Sequence, residues 1–113
     1  MPHVVIECSE NLLGVLRQQD VCKKAYNVLM QSGLFKAPDI KTRLHPAALS
    51  YVGEKGSAGS FVHAMIYLLE GRSAEARKGL AAAMHAALLQ TVPEADSVTV
   101  DITELKKEFY QKK

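Results

Sequence analysis

The chain has 113 residues, 48% of them hydrophobic, which suits one compact domain with a real core and argues against disorder. The net charge is +2 and the basic residues are scattered, so nothing marks a nucleic-acid partner; the one cluster is the short Gln111-Lys112-Lys113 tail. No apolar run approaches the roughly 18–20 residues that span a bilayer, and the start lacks the basic-then-apolar pattern of an export signal. The expectation is a cytoplasmic protein with no membrane partner.

Cys8 and Cys22 have no metal-ligand spacing and are expected as reduced, buried thiols. His3, His45, His63 and His85 lie far apart and form no HxxxH or HExxH pair, so no metal site is expected. His45 and His63 read as structural.

Pro2 directly follows the initiator methionine. Initiator methionine is usually clipped before a small residue or proline. Its loss would leave Pro2 with a free secondary amine. An α-amine titrates near 7.7–8, and lower if cations crowd it, so it can act as a general base near neutral pH. If Met1 stays, the Pro2 nitrogen is an amide with no basicity, and Pro2 is only a stiff first strand residue.

Residues 2–8 contain the β-branched run Val4-Val5-Ile6 and read as a strand. Ser9-Glu10-Asn11 offers helix N-cap side chains. Leu12, Leu13, Leu16, Val21, Ala25, Val28 and Leu29 predict one amphipathic helix from about 11 to 32, stopped by Gly33. Ile40 to His45 alternates as a second strand, with Lys41, Arg43 and His45 on one face and Pro46 ending it. Residues 53–60 read as a flexible loop. Phe61 to Leu69 is nearly all apolar and predicts a central strand covered on both faces. Ser73 can cap a second helix running to about Gln90, with Glu75 well placed for its dipole. Thr91 to Asp96 is a loop. Val98, Val100 and Ile102 alternate with Thr99, Asp101 and Thr103 in a last strand, and Leu105 to Gln111 forms a short helix or terminal arm.

The order is strand, helix, strand, strand, helix, strand. Two β-α-β units of this kind give an α+β fold, a four-stranded mixed sheet with both helices on one face, as a single domain over residues 1–113. The other face is left open and is expected to pack on another subunit.

Four segments resemble the 5-carboxymethyl-2-hydroxymuconate isomerase family of the tautomerase superfamily. They are Pro2-His3 with Glu7-Cys8-Ser9 and Asn11; Ile40-Lys41-Thr42-Arg43-Leu44-His45; Phe61-Val62-His63; and Gly71-Arg72-Ser73 with Glu75 and Arg77. The resemblance implies a tautomerase/MIF-like fold, a homotrimer, and a place in the breakdown of aromatic compounds. It implies that an N-terminal proline, here Pro2, is the catalytic base. It implies that cations from the second strand and from the turn before the second helix, here Arg43 or Lys41 and Arg72, hold substrate carboxylates. Where the family often reads Arg-x-Arg, this chain has Lys41-Thr42-Arg43. Lysine keeps the charge but loses the two-pronged fork.

The expected reaction is isomerisation of a 2-hydroxymuconate-type dienol, a small anionic polycarboxylate, to its conjugated 2-oxo form without a cofactor. Two other readings remain open. One is a non-catalytic trimeric module that binds an anion or a partner. The other is a different tautomerase-superfamily reaction.

Overall fold

The computed structural model describes residues 1–113. Its strands are β1 (His3–Ser9), β2 (Lys41–Ala47), β3 (Phe61–Leu69) and β4 (Ser97–Leu105). They form one four-stranded sheet in the order β2-β1-β3-β4. β1 runs parallel to β2 and antiparallel to β3, and β3 runs parallel to β4. The mixed sheet follows from the two β-α-β units read from the sequence.

Alternation sorts the side chains between two faces. Val4, Ile6 and Cys8 of β1 and Val62, Ala64, Ile66 and Leu68 of β3 are fully buried on one face. The helices α2 (Val21–Gln31) and α3 (Ala74–Thr91) cover that face, through Val21, Ala25 and Leu29 and through Leu80, Met84 and Leu88. Fully burying a side chain of this size stabilises the fold by about 1.5–3 kcal/mol. Val98, Val100 and Ile102 of β4 pack against the same core.

The opposite face is open. The strand register sets Lys41, His3, Tyr67 and Thr103 in one row across it. The next rows are Arg43, Val5, Met65 and Asp101, then His45, Glu7, His63 and Thr99. β3 is therefore not covered on both sides. Its outer residues Phe61, His63, Met65, Tyr67 and Leu69 are half-buried.

Four local expectations are corrected. The first helix is two: α1 (Leu13–Gln18) and α2, broken at Asp20, which has φ 50° and ψ 62°. The apolar stripe steps by five from Leu16 to Val21, which would rotate Val21 about 140° off the core face in a continuous helix. The break restores the phase, and the Asp20 carboxylate accepts from the Lys23 N–H to start α2.

Ser9 makes no cap bond to the turn that follows it. Its hydroxyl instead accepts from the Phe61 N–H at 3.0 Å. The Asn11 amide donates to the carbonyl of Gly59 at 3.2 Å. That tie, the Val52–Gly56 bridge and the Lys55–Asp96 ion pair fix the 53–60 segment, which is thus pinned rather than flexible.

Pro46 does not end β2. It pairs in register with Cys8, and the strand runs on to Ala47. β2 lies at the sheet edge, where a missing N–H leaves no neighbour unpaired. Other local signals hold. Gly33 ends α2 at φ 73°, in the left-handed region that favours glycine. Ser73 caps α3 by accepting from the Ala76 N–H at 3.1 Å. Cys8 is buried and Cys22 half-buried, and both are free thiols. Burial pushes the Cys8 thiol up from its ordinary value. No helix is long and apolar enough to cross a membrane.

Candidate active site at the start of β1

Pro2 is fully buried at the entry to the sheet. Its carbonyl accepts from the Lys41 N–H at 3.1 Å, which fastens the chain start to β2. Met1 is also buried, only 6% exposed. Because Met1 is bonded to the Pro2 nitrogen, the space it fills is the space next to that nitrogen. With Met1 in place that nitrogen is an amide.

Charges converge on this end of the sheet from four parts of the chain. The Met1 amine lies 3.8 Å from an Asp39 carboxylate oxygen. Lys112, on the arm after β4, reaches the same oxygen at 3.1 Å. Burial lowers the amine's pKa first, Asp39 opposes that, and Lys41, Lys112 and Arg72 lower it further. Asp39 is held below the usual carboxylate range, first by the Lys112 hydrogen bond.

Arg72 belongs to this cluster and is also tied into the fold. Its guanidinium donates to the carbonyls of Leu69 at 3.2 Å and Leu34 at 3.1 Å. It stacks over the Phe35 ring, 4.7 Å from the centroid. These contacts give Arg72 a structural role beside its place in the charge cluster.

Lys41 and Arg43 share the open face but part company. Lys41 donates from its ammonium to the Asp39 carbonyl at 2.9 Å, beside the chain start. Arg43 reaches the His3 ring instead, with its NH1 3.1 Å from Nδ1. A guanidinium can only donate, so Nδ1 must accept and the His3 proton sits on Nε2. Nε2 is 3.2 Å from the Tyr110 hydroxyl and donates to it. His3 is thus fixed as the neutral Nε2–H tautomer. His63 bonds Thr99 at 2.7 Å, while His45 is exposed on the edge strand.

Burial first, then Arg43, Lys41 and the amino terminus, lower the His3 pKa. A depressed value means that neutral His3 stabilises the fold fully above its unfolded value of 6.5, and that this stability is lost as pH falls through the folded value. The melting temperature is expected to drop more steeply between about pH 7 and 5 in the wild type than in His3→Gln. Parallel melting curves for the two proteins over that range contradict this.

Sequence reasoning thus brought Pro2, Lys41 and Arg72 to one place, with Arg43 one row away. It missed the parts played by Asp39, Lys112 and Tyr110. Only the fold brings the arm back to the chain start. The larger clefts lie elsewhere. One of about 700 Å3 between α2 and α3 is lined by Val28, Leu34, Leu80 and Ala83 among others. No group of histidine, cysteine and acidic side chains is placed to hold a metal ion.

The family model described as 5-carboxymethyl-2-hydroxymuconate isomerase matches residues 2–113. No curated protein sequence matches the chain. Among solved structures, a 5-carboxymethyl-2-hydroxymuconate isomerase from Deinococcus radiodurans R1 superposes with TM-score 0.87 at 23% identity, covering 99% of this chain and 88% of that one. Pt0534, solved after inactivation by 2-oxo-3-pentynoate, gives 0.83 at 19% identity, covering 97% and 90%. A fused wild-type 4-OT solved as a symmetric trimer gives 0.78 at 14% identity, covering 93% and 86%. At these identities the superpositions speak for the fold, which is tautomerase/MIF-like. The family match from Pro2 to the last residue carries the rest: the chain belongs to the 5-carboxymethyl-2-hydroxymuconate isomerase family, isomerases of the tautomerase superfamily.

Proposed function

We propose that the chain, as a single tautomerase-like domain, isomerises a 2-hydroxymuconate-type dienol such as 5-carboxymethyl-2-hydroxymuconate to its conjugated 2-oxo form, in the breakdown of aromatic compounds. The observation that carries this reading is the buried Met1 at the Pro2 nitrogen, with Lys41, Arg72 and Lys112 around it. Loss of Met1 would convert the amide to an amine and free the adjacent volume for substrate. The cations favour the neutral form of that amine, which is the form a base needs.

In the proposed reaction the Pro2 amine takes the proton of the 2-hydroxyl. The electron pair moves through the diene, and the ammonium returns the proton to a distant carbon. One O–H bond is lost, one C–H bond is formed, and the enzyme is restored. Arg72 and Lys41 hold carboxylates and stabilise charge building on the carbonyl side. Arg43, engaged with His3, acts one row further out. The reaction needs no cofactor. The open sheet face, with its half-buried Met65 and Tyr67, supports assembly through that face into a homotrimer.

The reading is tested with Met1-free protein in two assays. Turnover of the dienol is followed by its absorbance, and the protein is treated with 2-oxo-3-pentynoate, the inactivator of the related Pt0534. An amine adds across the activated alkyne without a leaving group, so one full reagent mass is expected on Pro2, with activity lost in step. A label on Cys22 with Pro2 untouched, or no turnover of any such dienol, overturns the reading and leaves an anion-binding module.

A further inference from the structure

The segment after β4 does not trail into solvent. Lys107 to Phe109 make a single turn, and the Lys107 N–H donates to the Glu70 carboxylate at 2.8 Å. The arm then crosses the end of the sheet. Tyr110 meets His3, and Lys112 meets Asp39. Two contacts from one arm therefore flank the start of β1. Asp39 is the only carboxylate among the charged groups that bear on the Met1 amine, next to the Pro2 nitrogen; the others are Lys41 on β2, Arg72 in the β3–α3 turn, and Lys112 itself. The neighbouring His3 is pinned in its neutral form, as derived above.

This placement creates a conflict that Lys112 resolves. A lone carboxylate beside the amine favours the ammonium, which is useless as a base, and repels an anionic substrate. The Lys112 ammonium and the Met1 amine, one residue ahead of the Pro2 nitrogen, approach the same Asp39 oxygen, Lys112 more closely. We infer that Lys112 is a positioning residue for the Pro2 amine: the C-terminal arm sets it on Asp39, where it occupies the carboxylate that would otherwise hold the amine as its ammonium. This deepens the proposed function and rests on Pro2 being the base. It makes the arm part of the site, although the arm lies at the far end of the sequence.

The test is an NMR titration of 15N-proline-labelled, Met1-free protein, read without substrate, alongside the pH profile of kcat/KM. Four variants are compared with wild type: Lys112→Ala, Lys112→Arg, Asp39→Asn and the Asp39→Asn/Lys112→Ala pair. Lys112→Ala is expected to raise the Pro2 midpoint and to lower kcat/KM about three-fold on the acid side, with little change on the alkaline side. Lys112→Arg should restore the wild-type midpoint. In the Asp39→Asn background, removing Lys112 should raise the midpoint no further. An unchanged midpoint in Lys112→Ala, or a rise of the same size without the Asp39 charge, overturns the inference. Because the titration needs no turnover, a protein inactive on dienols would sink the proposed reaction while still deciding the role of the arm. If native protein retains Met1, the proposed base fails, and the inference about Lys112 falls with it.

Discussion

Pro2→Ala is expected to lower kcat/KM for the dienol by about 10–10²-fold, a part of what a positioned general base contributes. The loss should fall mainly on kcat, because the cations that hold carboxylates are left in place. Alanine also permits removal of Met1, so the variant still carries an amine and some turnover survives. What it loses is the ring. The pyrrolidine ring blocks rotation about the N–Cα bond and so aims the nitrogen, whereas an alanine amine rotates and places its lone pair correctly only part of the time. The ring is also fully buried, and trimming it removes about two methylenes from the packed end of the sheet, costing about 1–2 kcal/mol. Circular dichroism and melting curves separate that modest loss from the catalytic one. Activity within two-fold of wild type contradicts the role assigned to Pro2.

Arg72→Ala should damage both stability and activity. The guanidinium satisfies the Leu69 and Leu34 carbonyls and covers the Phe35 ring. Removing these contacts is expected to cost about 2–3 kcal/mol in urea unfolding. It should also lower kcat/KM by about 10²–10³-fold, as loss of a charged group facing developing negative charge does. Arg72→Lys separates the two roles. Lysine keeps the charge but cannot reach two carbonyls at once, so stability should fall almost as far while more of the activity survives. Equal activity losses in the two variants, scaling with their stability losses, would reduce Arg72 to a structural residue.

Period-2 alternation made β2 and β4 legible in the sequence, while the apolar run of β3 hid its open outer face. Lys41, Arg43 and His45 share one face of β2, as the spacing predicted. Local stop and start signals, Gly33 and Ser73, were legible for the same reason: each acts within a few residues. The break between α1 and α2 was written in the five-residue step from Leu16 to Val21, but the count of apolar residues obscured the slip in phase. Ser9 and Asn11 look like helix caps because their chemistry is that of caps. Tertiary partners, Phe61 and Gly59, claimed them instead. The site divides in the same way. Pro2 stood out by residue type and position, and Lys41 and Arg72 through the family resemblance. Asp39 and Lys112 are 73 residues apart and carry no mutual signal until the arm folds back.

The intact mass and N-terminal sequence of the native protein, taken with its turnover of the dienol, test the central claim most directly. The account predicts a chain lacking Met1, with Pro2 first, that isomerises the dienol, and a Met1-retaining form that does not. Full activity in protein that keeps Met1 would contradict it, because the Pro2 nitrogen would then be an amide with no lone pair to offer as a base.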